Sequence, residues 1–170
     1  MEREILLRRR IKAITWVFIV GLVLSGATAI PLKTEMGALA KIMGVAGRSS
    51  GTVTSGPAHW ILLVREALWE TDAKYPFLAY GTDWLAFGHF VIAVAFIGAL
   101  RDPVRNVWLF TFGMIACAMV VPYAFVLGGL RGIPIYWRLI DCSFGVFGMI
   151  PVWLCRRWAK EIEVMSITAN

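Results

Sequence analysis

Apolar positions run almost unbroken through four stretches of the chain, Ile11 to Ile30, Trp84 to Leu100, Val107 to Leu127 and Ile133 to Cys155, with charged residues gathered between them. Each stretch is close to the ~20 residues an α-helix needs to cross a hydrocarbon layer about 30 Å thick. None alternates with the period of two that marks a barrel strand. The pattern predicts an all-α polytopic membrane protein, a single membrane domain over 1–170 with spans near 11–31, 82–100, 104–127 and 134–155.

The longest segment between spans, 32–81, has its own pattern. Leu32 to Ala46 reads as a short amphipathic helix, and Gly47 to Pro57 as a flexible Gly/Ser/Thr connector. After Pro57, a favourable first helical position, Trp60, Ile61, Leu63, Val64, Ala67 and Leu68 recur at helical spacing. Arg65, Glu66, Glu70 and Asp72 take the opposite side, so a second amphipathic helix is expected on the membrane surface or on the bundle. Trp60, Trp69, Tyr75, Tyr80 and Trp84 suit an interfacial aromatic belt. His59, Glu66 and Glu70 fall nearly on one line, which a solvated polar face explains better than a metal site, since that spacing is no known ligand pattern.

Composition agrees with the pattern: 59% of the 170 residues are hydrophobic and 16% charged, against roughly 25% charged in soluble domains. The formal charge of +6 reports orientation more than nucleic acid, for which nothing else in the chain speaks. Arg3, Arg8, Arg9, Arg10 and Lys12 precede the first span, Arg101 and Arg105 lie in the 101–106 turn, and Arg156, Arg157 and Lys160 follow the fourth. A four-span path puts these three segments on one side. The positive-inside rule makes that side cytoplasmic, with both termini inside and the 32–81 segment and the 128–132 turn outside. Arg8-Arg9-Arg10 before an apolar run and Ala27-Thr28-Ala29 after it imitate a secretory signal. The run is longer than the 7–15 residues of such a core, so the reading is a retained signal-anchor.

Candidate chemistry is sparse. Cys117, Cys142 and Cys155 lie in or at the end of spans and read as small packing residues. Phosphate-loop, HExxH, GxSxG, Rossmann and CxxCH signatures are absent. What stands out is charge inside spans. His89 lies about seven residues inward of Thr82, and Asp141 about seven inward of Pro134, roughly 10 Å deep in each case. Arg138 is one turn above Asp141 on the same helical face. If spans two and four touch, His89, Arg138 and Asp141 form a cluster in the outer leaflet, near Asp83 and Arg131. On a structural reading Arg138 and Asp141 neutralise each other and His89 bonds a carbonyl; on a functional one the cluster binds a ligand or partner, or handles protons. Asp83 has the simpler role of capping the second span. Asp102 with Pro103 is expected to start the third span sharply, and Gly145, Gly148 and Ser143 offer a small-residue surface on the fourth.

Tyr80-Gly-Thr-Asp-Trp-Leu-Ala-Phe-Gly-His89, Leu100-Arg-Asp-Pro-Val-Arg-Asn106 and Trp137-Arg-Leu-Ile-Asp-Cys-Ser-Phe-Gly-Val-Phe-Gly148 resemble segments of a group of small bacterial four-helix integral membrane proteins without known activity. The likeness covers roughly the C-terminal half and implies a bacterial inner-membrane location. The expected function is a non-enzymatic accessory, assembly or scaffold subunit whose partners are the bilayer and other membrane subunits or a second copy. The alternative is a ligand-binding, quinone-linked or proton-relay protein using the His/Arg/Asp cluster. No cofactor or metal is predicted, because the two histidines, one of them in the 32–81 segment, do not provide a facing pair for a haem.

Overall fold

The computed structural model describes residues 2–168, and among these it is all helical. Six α-helices follow one another: α1 (Glu2–Ala29), α2 (Leu32–Ile42), α3 (Gly56–Lys74), α4 (Tyr80–Arg101), α5 (Val107–Leu130) and α6 (Ile135–Thr168). Short 3-10 turns occupy Ser50–Thr52 and Pro76–Ala79. Helices α1, α4, α5 and α6 are each long and apolar enough to cross a membrane, and each covers one of the four expected spans. The chain divides into two compact units, one formed by the residues up to Leu22 and from Val91 onward, the other by Val23–Phe90.

In the first unit all four long helices contribute to one apolar core. Leu7, Ile11 and Ile19 of α1 meet Ala93, Phe96, Ala99 and Leu100 of α4, Phe110 of α5, and Val152, Cys155, Ala159 and Ile162 of α6. Phe96 is central, with its ring 4.8 Å from that of Phe18 and 6.2 Å from that of Phe110. The faces turned away, with Val17, Val94, Trp108, Met119, Phe144 and Phe147, are exposed and apolar, as lipid contact requires. Thr15, fully buried, satisfies its hydroxyl against the Cys155 sulfur at 3.8 Å.

Helices α5 and α6 are joined by a short turn and pack as neighbours. Their approach depends on absent side chains. A Cβ at Gly145 would stand 2.6 Å from the Cys117 carbonyl oxygen, and one at Gly148 3.0 Å from the Cys117 sulfur. On α5, Gly113 leaves room for Phe96 and Val152. Between spans, where lipid is as apolar as leucine, such close backbone contact supplies the attraction that the hydrophobic effect supplies in water.

Two helix ends depart from the sequence reading. Helix α1 begins at Glu2, well before Ile11, and α6 continues past Cys155 to Thr168. At 1.5 Å per residue these helices are about 42 and 51 Å long. The extensions run antiparallel, burying Leu7 and Ile11 against Ala159 and Ile162, and Arg3 bridges Glu161 at 2.7 Å. Their amphipathic spacing is masked in the sequence by the dense arginines. The start of α5 also differs. Asp102 accepts the Val104 and Arg105 amides at 3.2 and 3.1 Å, but the helix begins only at Val107. The Asn106 carboxamide donates back to the Gly98 and Asp102 carbonyls at 3.1 and 2.8 Å. It thereby closes residues 102–106 into a turn of their own.

In the second unit α2 and α3 lie against each other, with Met36, Ala40 and Val45 covering Ile61 and Leu62. Lys33 bridges Asp72 at 2.5 Å while lying over the Trp69 ring. Pro31 separates α1 from α2, since the residue before proline is pushed out of the helical region.

The glycine contacts give an ordered prediction. Gly145→Ala drives a methyl into a fixed backbone carbonyl and should destabilise the protein by about 1–3 kcal/mol. Gly148→Ala meets a sulfur that can rotate and should cost less. Midpoints of unfolding in mixed detergent micelles measure both, and an equal or larger loss at Gly148 would contradict this packing.

Candidate functional site

The five residues singled out by the sequence fall in both units. Arg131, Arg138 and Asp141 belong to the first, Asp83 and His89 to the second. Arg138 leaves the side of Asp141 and turns to backbone. Its Nε donates to the Ile133 carbonyl at 2.8 Å and its Nη1 approaches the Phe125 carbonyl at 3.5 Å. The ion pairs among the described residues are Arg3–Glu161, Arg8–Glu4 and Lys33–Asp72, so the expected Arg138–Asp141 pair is not formed. The physical reason lies in the turn between α5 and α6. The Ile133 carbonyl stands outside both helices, and an unsatisfied carbonyl is costly where water is scarce. A guanidinium carries five N–H groups and complements the negative end of the helix dipole.

Gly128 and Gly129 make this clamp possible. A Cβ at Gly128 would lie 2.7 Å from Arg138 Cδ, and one at Gly129 3.3 Å from its Nη1. The turn closes through Gly132 at φ +69°, with Ile133 N–H bonded to the Gly128 carbonyl at 2.9 Å. Arg131 ends α5 and its side chain is exposed.

Asp141, one turn along α6, borders a shallow groove of about 440 Å³ lined by Ala116, Met119, Val120, Tyr123 and Ala124 of α5. Ala116, Val120 and Ala124 recur every four residues and form its floor, while the exposed Met119 and Tyr123 flank it. The Asp141 carboxyl has no hydrogen-bond or ion-pair partner among the described residues. An acid set in an apolar groove, with the nearest arginine occupied elsewhere, can accept a donor or cation brought by another molecule. The groove residues escape sequence reading because they lie inside a uniformly apolar run. The alanines eight residues apart are the one signal they offer.

In the second unit the His89 Nδ1–H donates to the Leu85 carbonyl of its own helix at 2.8 Å. Gly26 of α1 lies against it so closely that a Cβ there would be 2.9 Å from His89 Cβ. Asp83 is exposed in the first turn of α4, beside the edge-to-face aromatic row Tyr80, Trp84 and Phe87.

The connector after α2 is held more firmly than its composition suggests. His59 Nδ1–H donates to the Val53 carbonyl at 2.6 Å and lies 3.1 Å from that of Ser50. Arg65 donates to the carbonyls of Ala46 and Arg48, both at 2.8 Å. Glu66 accepts the Ser50 amide at 2.8 Å and the Ser50 hydroxyl. The line of polar residues on α3 therefore supplies partners for loop backbone that has no ladder or helix of its own. Only Glu70 keeps the solvated role expected for it, as an exposed side chain.

Two predictions follow from these contacts. Arg138→Gln removes a charged hydrogen bond from the α5–α6 turn and should lower stability by about 1.5–3 kcal/mol. Asp141→Asn should stay within about 0.5 kcal/mol, whereas a paired carboxylate would make the two losses similar; thermal unfolding in detergent distinguishes these outcomes. Glu66 is held below the ordinary Glu range, first by the Ser50 hydroxyl and then by the Ser50 amide. Its folded value is depressed, so its contribution is present above the ordinary range and is lost as pH falls through the lowered value. Protection of the Ser50 amide, its exchange taken relative to the intrinsic rate at each pH, should fall in that acidic window and show no such fall in Glu66→Gln. Compared with known proteins, the chain matches no family model, no curated protein and no solved structure.

Proposed function

We propose that this chain is a small multi-pass protein of the bacterial inner membrane that acts as a non-enzymatic accessory or assembly subunit. It holds a transmembrane helix of a partner subunit against α5 and α6 at Asp141. The observation that carries this reading is the Asp141 carboxyl, set in an apolar groove with its neighbouring arginine committed to backbone. Insertion scales put the cost of an aspartate near the centre of a span at about 2.5–3.5 kcal/mol. Polar groups in spans are commonly offset by a donor on an adjacent helix. The alanine floor supports the same reading, because small residues let a helix backbone come close.

Orientation follows from charge. The arginines early in α1, those of the 101–106 turn and those after Cys155 support cytoplasmic termini, with α2 and α3 on the outer face. There the ring row of Tyr80, Trp84 and Phe87 sits at headgroup level.

A photo-crosslinking residue placed at Met119 tests the proposal in native membranes at ordinary expression. A discrete protein adduct is expected at Met119, and not at the exposed Phe147, and Asp141→Leu should remove it. An adduct of twice the chain mass would identify the partner as a second copy. No adduct at Met119, or the same adducts at Phe147, would reject the docking groove.

A further inference from the structure

The paired extensions of α1 and α6 enclose a second feature, unrelated to Asp141. A groove of about 640 Å³ runs between them, lined by Glu2, Arg3, Leu6, Leu7, Arg10, Arg157, Trp158 and Glu161. Its charges are unevenly distributed. At the far end Arg3 is neutralised by Glu161, and Glu2 is about 12 Å along the helix from Arg10 at 1.5 Å per residue. At the end nearer the spans stand Arg10 and Arg157. Neither makes an ion pair among the described residues. Each guanidinium instead lies over an indole, Arg10 5.9 Å from the centre of Trp158 and Arg157 5.7 Å from that of Trp153. Stacking of this kind holds a guanidinium in place and leaves its edge N–H donors available.

The surroundings sharpen the chemistry. Arg9, Lys12 and Lys160 are exposed beside the groove, and Arg156 is tied to the Thr111 hydroxyl at 2.9 Å. The walls continue toward the spans as apolar surface. Val17 lies seven residues on from Arg10 along α1, and Trp153 four before Arg157 on α6, and both are exposed. A bound molecule therefore meets two guanidiniums at one level and hydrocarbon-compatible side chains immediately beside them. Basic grooves between helices at the cytoplasmic end of a bundle suit anionic headgroups in this way.

We propose that this groove is a binding site for an anionic phospholipid, with the phosphodiester against Arg10 and Arg157 and the acyl chains along the Val17 and Trp153 faces. A soluble phosphate shares the headgroup chemistry, but it would leave the apolar walls uncovered. The lipid is therefore the occupant the groove fits.

The test uses the full chain in mild detergent and native mass spectrometry, with phosphatidylglycerol, phosphatidylethanolamine and glycerol phosphate offered separately. Phosphatidylglycerol should be retained about tenfold better than phosphatidylethanolamine, and glycerol phosphate should not bind measurably. Arg10→Gln with Arg157→Gln should abolish the preference, Arg10→Lys with Arg157→Lys should keep part of it, and Arg101→Gln with Arg105→Gln should leave it intact. Equal retention of the two lipids by the unaltered chain would overturn the proposal, whether or not the variants fold. So would equal loss in the Arg10/Arg157 and Arg101/Arg105 pairs, which would indicate diffuse attraction to the basic surface. Saturable binding of glycerol phosphate without a lipid preference would assign a soluble ligand instead.

Discussion

Water is missing from the layer that four of these helices are long and apolar enough to cross, and every backbone amide and carbonyl there must find its partner inside the protein. Four long helices meet that demand along their lengths. Their ends are where the demand becomes specific. At the α5–α6 turn it recruits Arg138 to the carbonyls of Ile133 and Phe125, excludes any side chain at Gly128, and leaves Asp141 without its nearest cation. At the 102–106 turn it recruits Asp102 and Asn106. The same accounting extends to the loop between α2 and α3, where His59, Arg65 and Glu66 each spend a side chain on backbone.

This shared logic explains why several polar residues that look chemical are engaged structurally. A histidine in a span bonds its own helix, an arginine closes a turn, and three polar groups of α3 fasten a loop. Asp141 is set apart by the lack of any such employment. The contrast between Arg138 and Asp141, three residues apart on one helix, is what gives the groove its chemical interest.

The spans were legible because hydropathy over some twenty residues is a strong signal, and Pro31 and the glycine-rich turn after Leu127 mark breaks between them. That the 32–81 segment holds two helices was legible from spacing. Helix ends were not. Arginines beside Leu7 and Ile11, and again beside Ala159, obscure a stripe that becomes apolar only when the two extensions face each other. The candidate site was legible only as a set of residues. Spacing of three places Arg138 and Asp141 on one face and suggests a pair. A long arginine side chain also reaches carbonyls of a neighbouring helix, and no local pattern announces that competition. The Asp141 groove is built from alanine, valine and methionine, which carry no distinctive signal in an apolar run.

The pairing of the two extensions carries a consequence for how the chain is made. Leu7 and Ile11 are synthesised some 150 residues before Ala159 and Ile162, which lie in the same core. Until α6 has been made, the early arm of α1 lacks the helix face that buries its apolar stripe. Contacts as distant in sequence as Arg3 with Glu161 and Ile11 with Cys155 therefore wait for α6: without it the chain keeps a greasy, arginine-rich arm open to chaperones and proteases.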